Sequence, residues 1–156
     1  MSIHEIYNYV QFNEGVATSG QPLSNEFKDI AESGFHAVVN LAMHNSDDAV
    51  ANEGSIVTAL EMAYFHIPVP FEAPTAKHLK LFIHLMECLK SDKVWVHCAA
   101  NYRVAAFMYQ YQRHVYGVPA DAAKSPIFEF WQPDKIWQDL MALSADDIGY
   151  INVNHP

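Results

Sequence analysis

Two apolar spacings alternate along the chain. Short runs rich in β-branched and aromatic residues read as strands: Ala17–Thr18, His36–Leu41 (HAVVNL), Tyr64–Val69 and Val94–Val96, with the run around Ile6–Val10 as a further short edge strand. Between them the apolar residues recur at helical spacing. Ser24 reads as the N-cap of a helix over Asn25–Ser33, with Phe27, Ile30 and Ala31 on one face and Gly34 closing it. Asp47 and Asp48 read as N-terminal charges of a helical pattern through Met62, in which Ile56, Val57, Leu60 and Ala63 are apolar. Thr75 caps the most periodic segment, whose stripe is Leu79, Phe82, Ile83, Met86 and Leu89. A further helix begins near Arg103 and carries Val104, Phe107, Met108 and Tyr111 towards Tyr116. Past Gly117 and Pro119, segments rich in Trp and Phe predict helices near Asp121–Phe130 and Asp134–Leu143. Strand–helix alternation of this kind predicts an α/β fold: a mostly parallel sheet of four to five strands, flanked by helices in three layers, with a helical C-terminal cap. Ligands of such sheets sit beyond the carboxyl ends of the strands.

Length and composition narrow the function. At 156 residues the chain predicts a single domain over 1–156, and folding a chain of this size buries roughly 69% of its surface. Hydrophobic residues make up 51% and charged ones 17%, which argues against disorder. Nine basic and eighteen acidic side chains leave a net charge of −9, the wrong sign for neutralising phosphates in bulk, so no nucleic-acid or membrane partner is expected and any anion site must be local. Two cysteines, Cys88 and Cys98, are too few for a secreted disulfide framework. With no leader-like N-terminus and no apolar run near the ~20 residues of a membrane span, the expected location is cytoplasmic. The nine histidines show no HExxH or paired i, i+4 spacing, so no metal and no cofactor is expected.

The chemistry concentrates where the last predicted strand meets a helix, Val94-Trp95-Val96-His97-Cys98-Ala99-Ala100-Asn101-Tyr102-Arg103. A tight loop there aims backbone N–H groups inward at the positive end of a helix dipole. Cys98 placed so is a candidate nucleophile that ionises readily, and Arg103 can supply a planar grip on a tetrahedral oxyanion. The bland alternatives are a buried core thiol for Cys98 and a surface cation for Arg103, but a cation at a helix start opposes the dipole unless an anion joins it. His97 reads as orienting the loop, Cys88 as a core thiol of the preceding helix.

These residues resemble the cysteine-dependent protein tyrosine and dual-specificity phosphatase superfamily, whose loop reads HCxxGxxR. The likeness is greater to a bacterial branch, related to the domain fused to β-lactamase-like hydrolases, whose loop reads HCxxGxR. It runs from Ser19-Gly20-Gln21-Pro22 through HAVVNL, Tyr64–Val69 and Ala73-Pro74-Thr75 to VHCAANYR. The resemblance implies a phosphatase fold and phosphomonoester hydrolysis through a Cys98 thiophosphate. Ala99, Ala100, Asn101, Tyr102 and Arg103 would then bind the phosphoryl group of a phosphorylated small molecule or phosphoprotein. Four departures accompany it. Four residues, not five, separate Cys98 from Arg103, as in sulfurtransferase loops; Asn101 stands where the loop has Gly; and Val104 replaces a hydroxyl-bearing residue. Where the branch carries an Asp as candidate general acid this chain has Pro70, leaving Glu72 as either a stand-in acid or a solvated loop carboxylate. A sulfurtransferase or persulfide-handling enzyme, acting on a sulfur-containing small molecule, and a weakly catalytic oxyanion-binding module are the competing functional classes.

Overall fold

A computed structural model describes residues 2–150. Its centre is a five-stranded sheet built of β1 (Val10–Gln11), β2 (Val16–Ser19), β3 (Ala37–Asn40), β4 (Ala63–His66) and β5 (Val94–His97), in the order β1-β2-β5-β3-β4. All neighbours are parallel except β1 and β2. The short apolar strand β5 is therefore central, with Ser19 of β2 and Asn40 of β3 both opposite His97. Each parallel return needs a crossover, and three helices supply it, α1 (Glu26–Glu32), α2 (Glu53–Ala59) and α3 (Ala76–Cys88), while α4 (Tyr102–Tyr116) follows the last strand.

Successive strand residues point to opposite faces, and the core divides accordingly. Val38, Trp95 and Ala17 pack against Phe27, Ile30 and Val57 from α1 and α2. Ala37, Val39, Val94 and Val96 pack against Phe82, Ile83, Phe107 and Trp137 from α3, α4 and the C-terminal region. These are the three layers the alternating pattern predicts. The solvent-accessible surface of 8001 Å² agrees with the roughly 7,900 Å² expected of a folded chain this size.

Helix boundaries follow local chemistry. Thr75 caps α3 as expected, its hydroxyl accepting from the His78 N–H at 3.2 Å. Ser24 does not cap α1. The helix follows Asn25, already helical at φ −79°, and the Glu26 carboxylate instead accepts from the Leu23 N–H at 2.7 Å. Asp47 and Asp48 lie in an exposed loop ahead of α2, whose first-turn carboxylate is Glu53. The expected strand at Ile6–Val10 is also displaced. Asn8 turns at φ 53° and the Tyr7 carbonyl accepts from the Gly20 N–H at 2.8 Å, so the chain curls here and pairs only from Val10. The C-terminal cap is helical but broken into α5 (Ala120–Ala123), a 3-10 turn at Pro126–Glu129, α6 (Lys135–Met141) and α7 (Ala145–Ile148). No described helix is long and apolar enough to cross a membrane.

The packing gives a direct contrast. Phe82 is fully buried against Phe107 and Tyr111, whereas its neighbour Leu81 is 49% exposed. Phe82→Ala is expected to lower the unfolding free energy by about 3–5 kcal/mol, and Leu81→Ala to change it by no more than about 0.5 kcal/mol, read by urea titration.

Candidate active site

The loop between β5 and α4 is braced from three sides. The Ser19 carbonyl accepts from the Cys98 N–H at 3.4 Å, and the Gln21 N–H donates to the Ala99 carbonyl at 3.0 Å. Asn8 Nδ2 donates to the Ala100 carbonyl at 2.9 Å. Asn101 sits in the left-handed region at φ 70°, the conformation that a glycine would adopt freely. Asn keeps that turn and adds two bonds no glycine could make, from Nδ2 to the Asn8 carbonyl at 2.8 Å and to Thr18 Oγ1 at 3.0 Å. Close approach explains Gly20, where a Cβ would meet the Tyr7 ring at 2.5 Å and the Ala99 carbonyl oxygen at 2.7 Å.

These braces occupy the loop's carbonyls and leave its donors open. Among the described residues, no backbone N–H from Ala99 to Arg103 has a hydrogen-bond acceptor. Cys98 lies at the start of this arc, 1% exposed. Arg103 follows in the first turn of α4, 5% exposed. Its Nη1 donates to the Val69 carbonyl at 2.8 Å, and its guanidinium carbon lies 5.7 Å from the centre of the Phe71 ring. Its Nε is buried without a partner, and no carboxylate pairs with it among the described residues. A buried cation left uncompensated is costly, so a cation, open amides and a thiol at one strand end together favour an oxyanion. Tyr102 adds a wall, stacked on Trp131 at 4.9 Å with a 2° interplanar angle.

The structure brings Cys98, Ala99, Ala100, Asn101, Tyr102 and Arg103 together but does not tie Glu72 to them. Glu72 is exposed in the turn after Pro70, one residue past the Phe71 ring. That turn is anchored from the cap, where Trp137 Nε1 donates to the Phe71 carbonyl at 2.8 Å. Cys88 is exposed, not a core thiol, because it falls two positions past Met86 and hence on the opposite side of α3 from the apolar stripe. No group of three or more His, Cys, Asp and Glu side chains able to hold a metal occurs among the described residues.

A buried polar pair supports the loop from below. His97 is fully buried, with Nε2 2.6 Å from Glu53 Oε2 and Nδ1 3.1 Å from the Cys98 carbonyl oxygen. Gln21 Nε2 donates to the other Glu53 oxygen at 2.8 Å. Burial pushes the Glu53 carboxyl up, but hydrogen bonds from His97, Gln21 and Tyr64 and the His97 charge outweigh it, leaving Glu53 below the ordinary glutamate range. Tyr64, which accepts from Asn40 Nδ2 at 3.0 Å, is pushed up to about 12, by burial and then by the nearby Glu53 charge. The expectation that His97 orients the loop agrees with this geometry. Glu53 escapes a motif search, and the Ser19–Pro22 stretch gives no sign that Gln21 meets it. The available signal was a carboxylate four residues before Val57, on the buried face of α2.

Residues 14–110 match the family model described as a polymorphic toxin system DSP-PTPase phosphatase. No curated protein matches the chain. Among solved structures, it is 31% identical to a DUF442-family protein of Shewanella putrefaciens CN-32 whose name proposes phosphatase activity, over 89% of this chain and 91% of that one, with a TM-score of 0.80. Tk-PTP in its active form is 20% identical over 86% of this chain and 93% of its own, TM-score 0.72. A cysteine-to-serine variant of P. aeruginosa TpbA, solved in complex with pTyr, is 15% identical over 90% of this chain and 77% of its own, TM-score 0.63. The last two likenesses show the fold alone.

The Glu53–His97 pair has a pH signature. A carboxyl whose folded value is depressed contributes stability that is present above the unfolded value and lost as pH falls through the folded one. Glu53→Gln is therefore expected to cost about 3 kcal/mol or more at pH 7 and markedly less below the ordinary value of 4.5. Urea titrations at neutral and acidic pH check this; a cost independent of pH contradicts it.

Proposed function

Because the chain belongs to the dual-specificity-type protein tyrosine phosphatase family, we propose that it hydrolyses phosphomonoesters through a Cys98 thiophosphate. The carrying observation is the buried, carboxylate-free Arg103, whose Nε stands open beside unbonded loop amides. In the first step the Cys98 thiolate attacks phosphorus and the P–O bond to the leaving group breaks. The loop amides and Arg103 hold the phosphoryl oxygens, and Glu72 gives its proton to the departing oxygen. Water then displaces Cys98 from phosphorus, yielding inorganic phosphate and the thiolate. Glu72, now ionised, takes a proton from that water.

The substrates this reading favours are phosphorylated small molecules or phosphoproteins, handled by one domain working in the cytoplasm. The pTyr complex of TpbA supports that class. Glu72, exposed in the turn after Pro70, is the carboxylate this reading assigns as the acid. Val104 offers no hydroxyl to ease thiolate departure, so breakdown of the thiophosphate is slow.

One observation favours a second reading. The four-residue ring from Cys98 to Arg103 is tight and Cys98 is only 1% exposed. A single sulfur atom fits such a ring more easily than a pentacoordinate phosphoryl group, which suits persulfide transfer by the same thiolate.

An aryl phosphate tested alongside thiosulfate with cyanide separates the two. Cys98→Ser is expected to lower phosphate release by about 10³-fold or more, and Arg103→Lys by about 10²-fold. Glu72→Gln is expected to cost about 10²–10⁴-fold on an alkyl phosphate and little on an activated aryl one. Cys98-dependent thiocyanate without phosphate release supports the sulfurtransferase. Turnover that survives Cys98→Ser contradicts both.

A further inference from the structure

Exposed apolar side chains are not evenly spread over this molecule. Large ones exposed singly need no explanation, whereas their concentration at one place does. Seven are exposed among the described residues, and four of them, Tyr7, Leu23, Phe71 and Phe130, belong to segments that touch the Cys98–Arg103 loop. The Tyr7 ring lies against Gly20 beside the Ala99 carbonyl. Leu23 follows Gln21, whose N–H holds that same carbonyl. The Phe71 ring faces the Arg103 guanidinium. Phe130 lies 6.5 Å, centroid to centroid, from Tyr102.

Topology explains how residues so far apart in sequence gather. Leu23 and Phe71 follow the carboxyl ends of β2 and β4, and the loop follows that of β5. Tyr7 reaches the same end because β1 runs antiparallel to β2. The C-terminal cap brings in Phe130, from beyond the 14–110 stretch that matches the phosphatase family. None of the four carries a charge, and the cation they neighbour is the buried Arg103. A nucleic acid or an inositol-type polyphosphate would find no further cations on these side chains.

We infer that the collar selects phosphopeptide segments whose residues flanking the phosphorylated side chain are apolar, with Leu23 and Phe130 as specificity-determining residues. The inference rests on the reading of the Cys98–Arg103 loop as a phosphoryl site. One anion satisfies Arg103 and the loop amides, and the neighbouring peptide side chains cover Tyr7, Leu23, Phe71 and Phe130.

The test uses labelled phosphotyrosine peptides, identical except for Leu and Phe or Ser and Gly at the flanking positions, titrated into Cys98→Ser protein by fluorescence polarisation. Covering one such side chain is worth about a tenfold change in affinity, so the apolar-flanked peptide should bind at least about tenfold tighter. The double variant Leu23→Ser/Phe130→Ser should lose that preference. Leu81→Ser, also exposed but on α3, should keep it. Both collar positions are exposed, so the variants should fold, and the same ranking is expected in kcat/KM of otherwise wild-type enzyme. Equal affinity for the two flanks, or a preference that survives the double variant, overturns the inference while leaving the phosphoryl site standing. Phenyl phosphate binding as tightly as the apolar-flanked peptide overturns it too. Failure of every phosphopeptide to bind more tightly than its unphosphorylated form, with phenyl phosphate still bound, overturns the inference alone; if phenyl phosphate also fails to bind, the phosphoryl-site reading falls and the inference with it.

Discussion

Arg103 is buried as a cation with one N–H on a backbone carbonyl, another without a partner and no carboxylate beside it. Leaving a charge in that condition costs several kcal/mol, and a fold tolerates it where an anion is to arrive. Most of what surrounds the loop follows from this constraint. The carbonyls of Ala99 and Ala100 are drawn away by Gln21 and Asn8, which leaves the amide face of the loop for the anion. The carbonyl of Val69 and the face of Phe71 fix the guanidinium in the meantime, and Trp137 fixes Phe71 in turn.

The supporting residues form a second polar group on the other side of the loop. His97 carries Glu53 on one ring nitrogen and the Cys98 carbonyl on the other. Its position is thereby tied to α2 as well as to β5. The ring is held between two oxygens, a Glu53 carboxylate oxygen at 2.6 Å and the Cys98 carbonyl oxygen at 3.1 Å. The ring thus fixes the Cys98 backbone at one end of the loop, while Arg103 places positive charge at the other. A thiolate and a bound oxyanion are favoured by the same arrangement.

The strand–helix alternation was legible in the sequence because the two periods, of two and of about 3.6 residues, are strong in β3, α3 and β5. The Cys98–Arg103 loop was legible because a compact motif carries it. What was not legible shares one cause: local pattern says nothing about contacts made across the fold. The curl at Tyr7–Asn8 is dictated by Gly20 and Ala100, which are distant in sequence. Ser24 is a good capping residue, but Glu26 reaches the Leu23 N–H and the helix starts without it. Cys88 follows an apolar stripe so closely that only the angle about α3 shows that it faces solvent. Asn101 looked like a departure from glycine, and three-dimensional contact shows it bridging Asn8 and Thr18.

The most direct measurement is thermal unfolding in phosphate against chloride at matched ionic strength, for the wild type and for Arg103→Met. An anion present at a hundred times its Kd stabilises the folded state by about 2.7 kcal/mol, a rise in Tm of several degrees for a domain of this size. The account predicts that rise for the wild type only. It also predicts that Arg103→Met, relieved of an unpaired buried charge, is at least as stable as the wild type in chloride. A wild type indifferent to phosphate, or an equal rise in Arg103→Met, would contradict it.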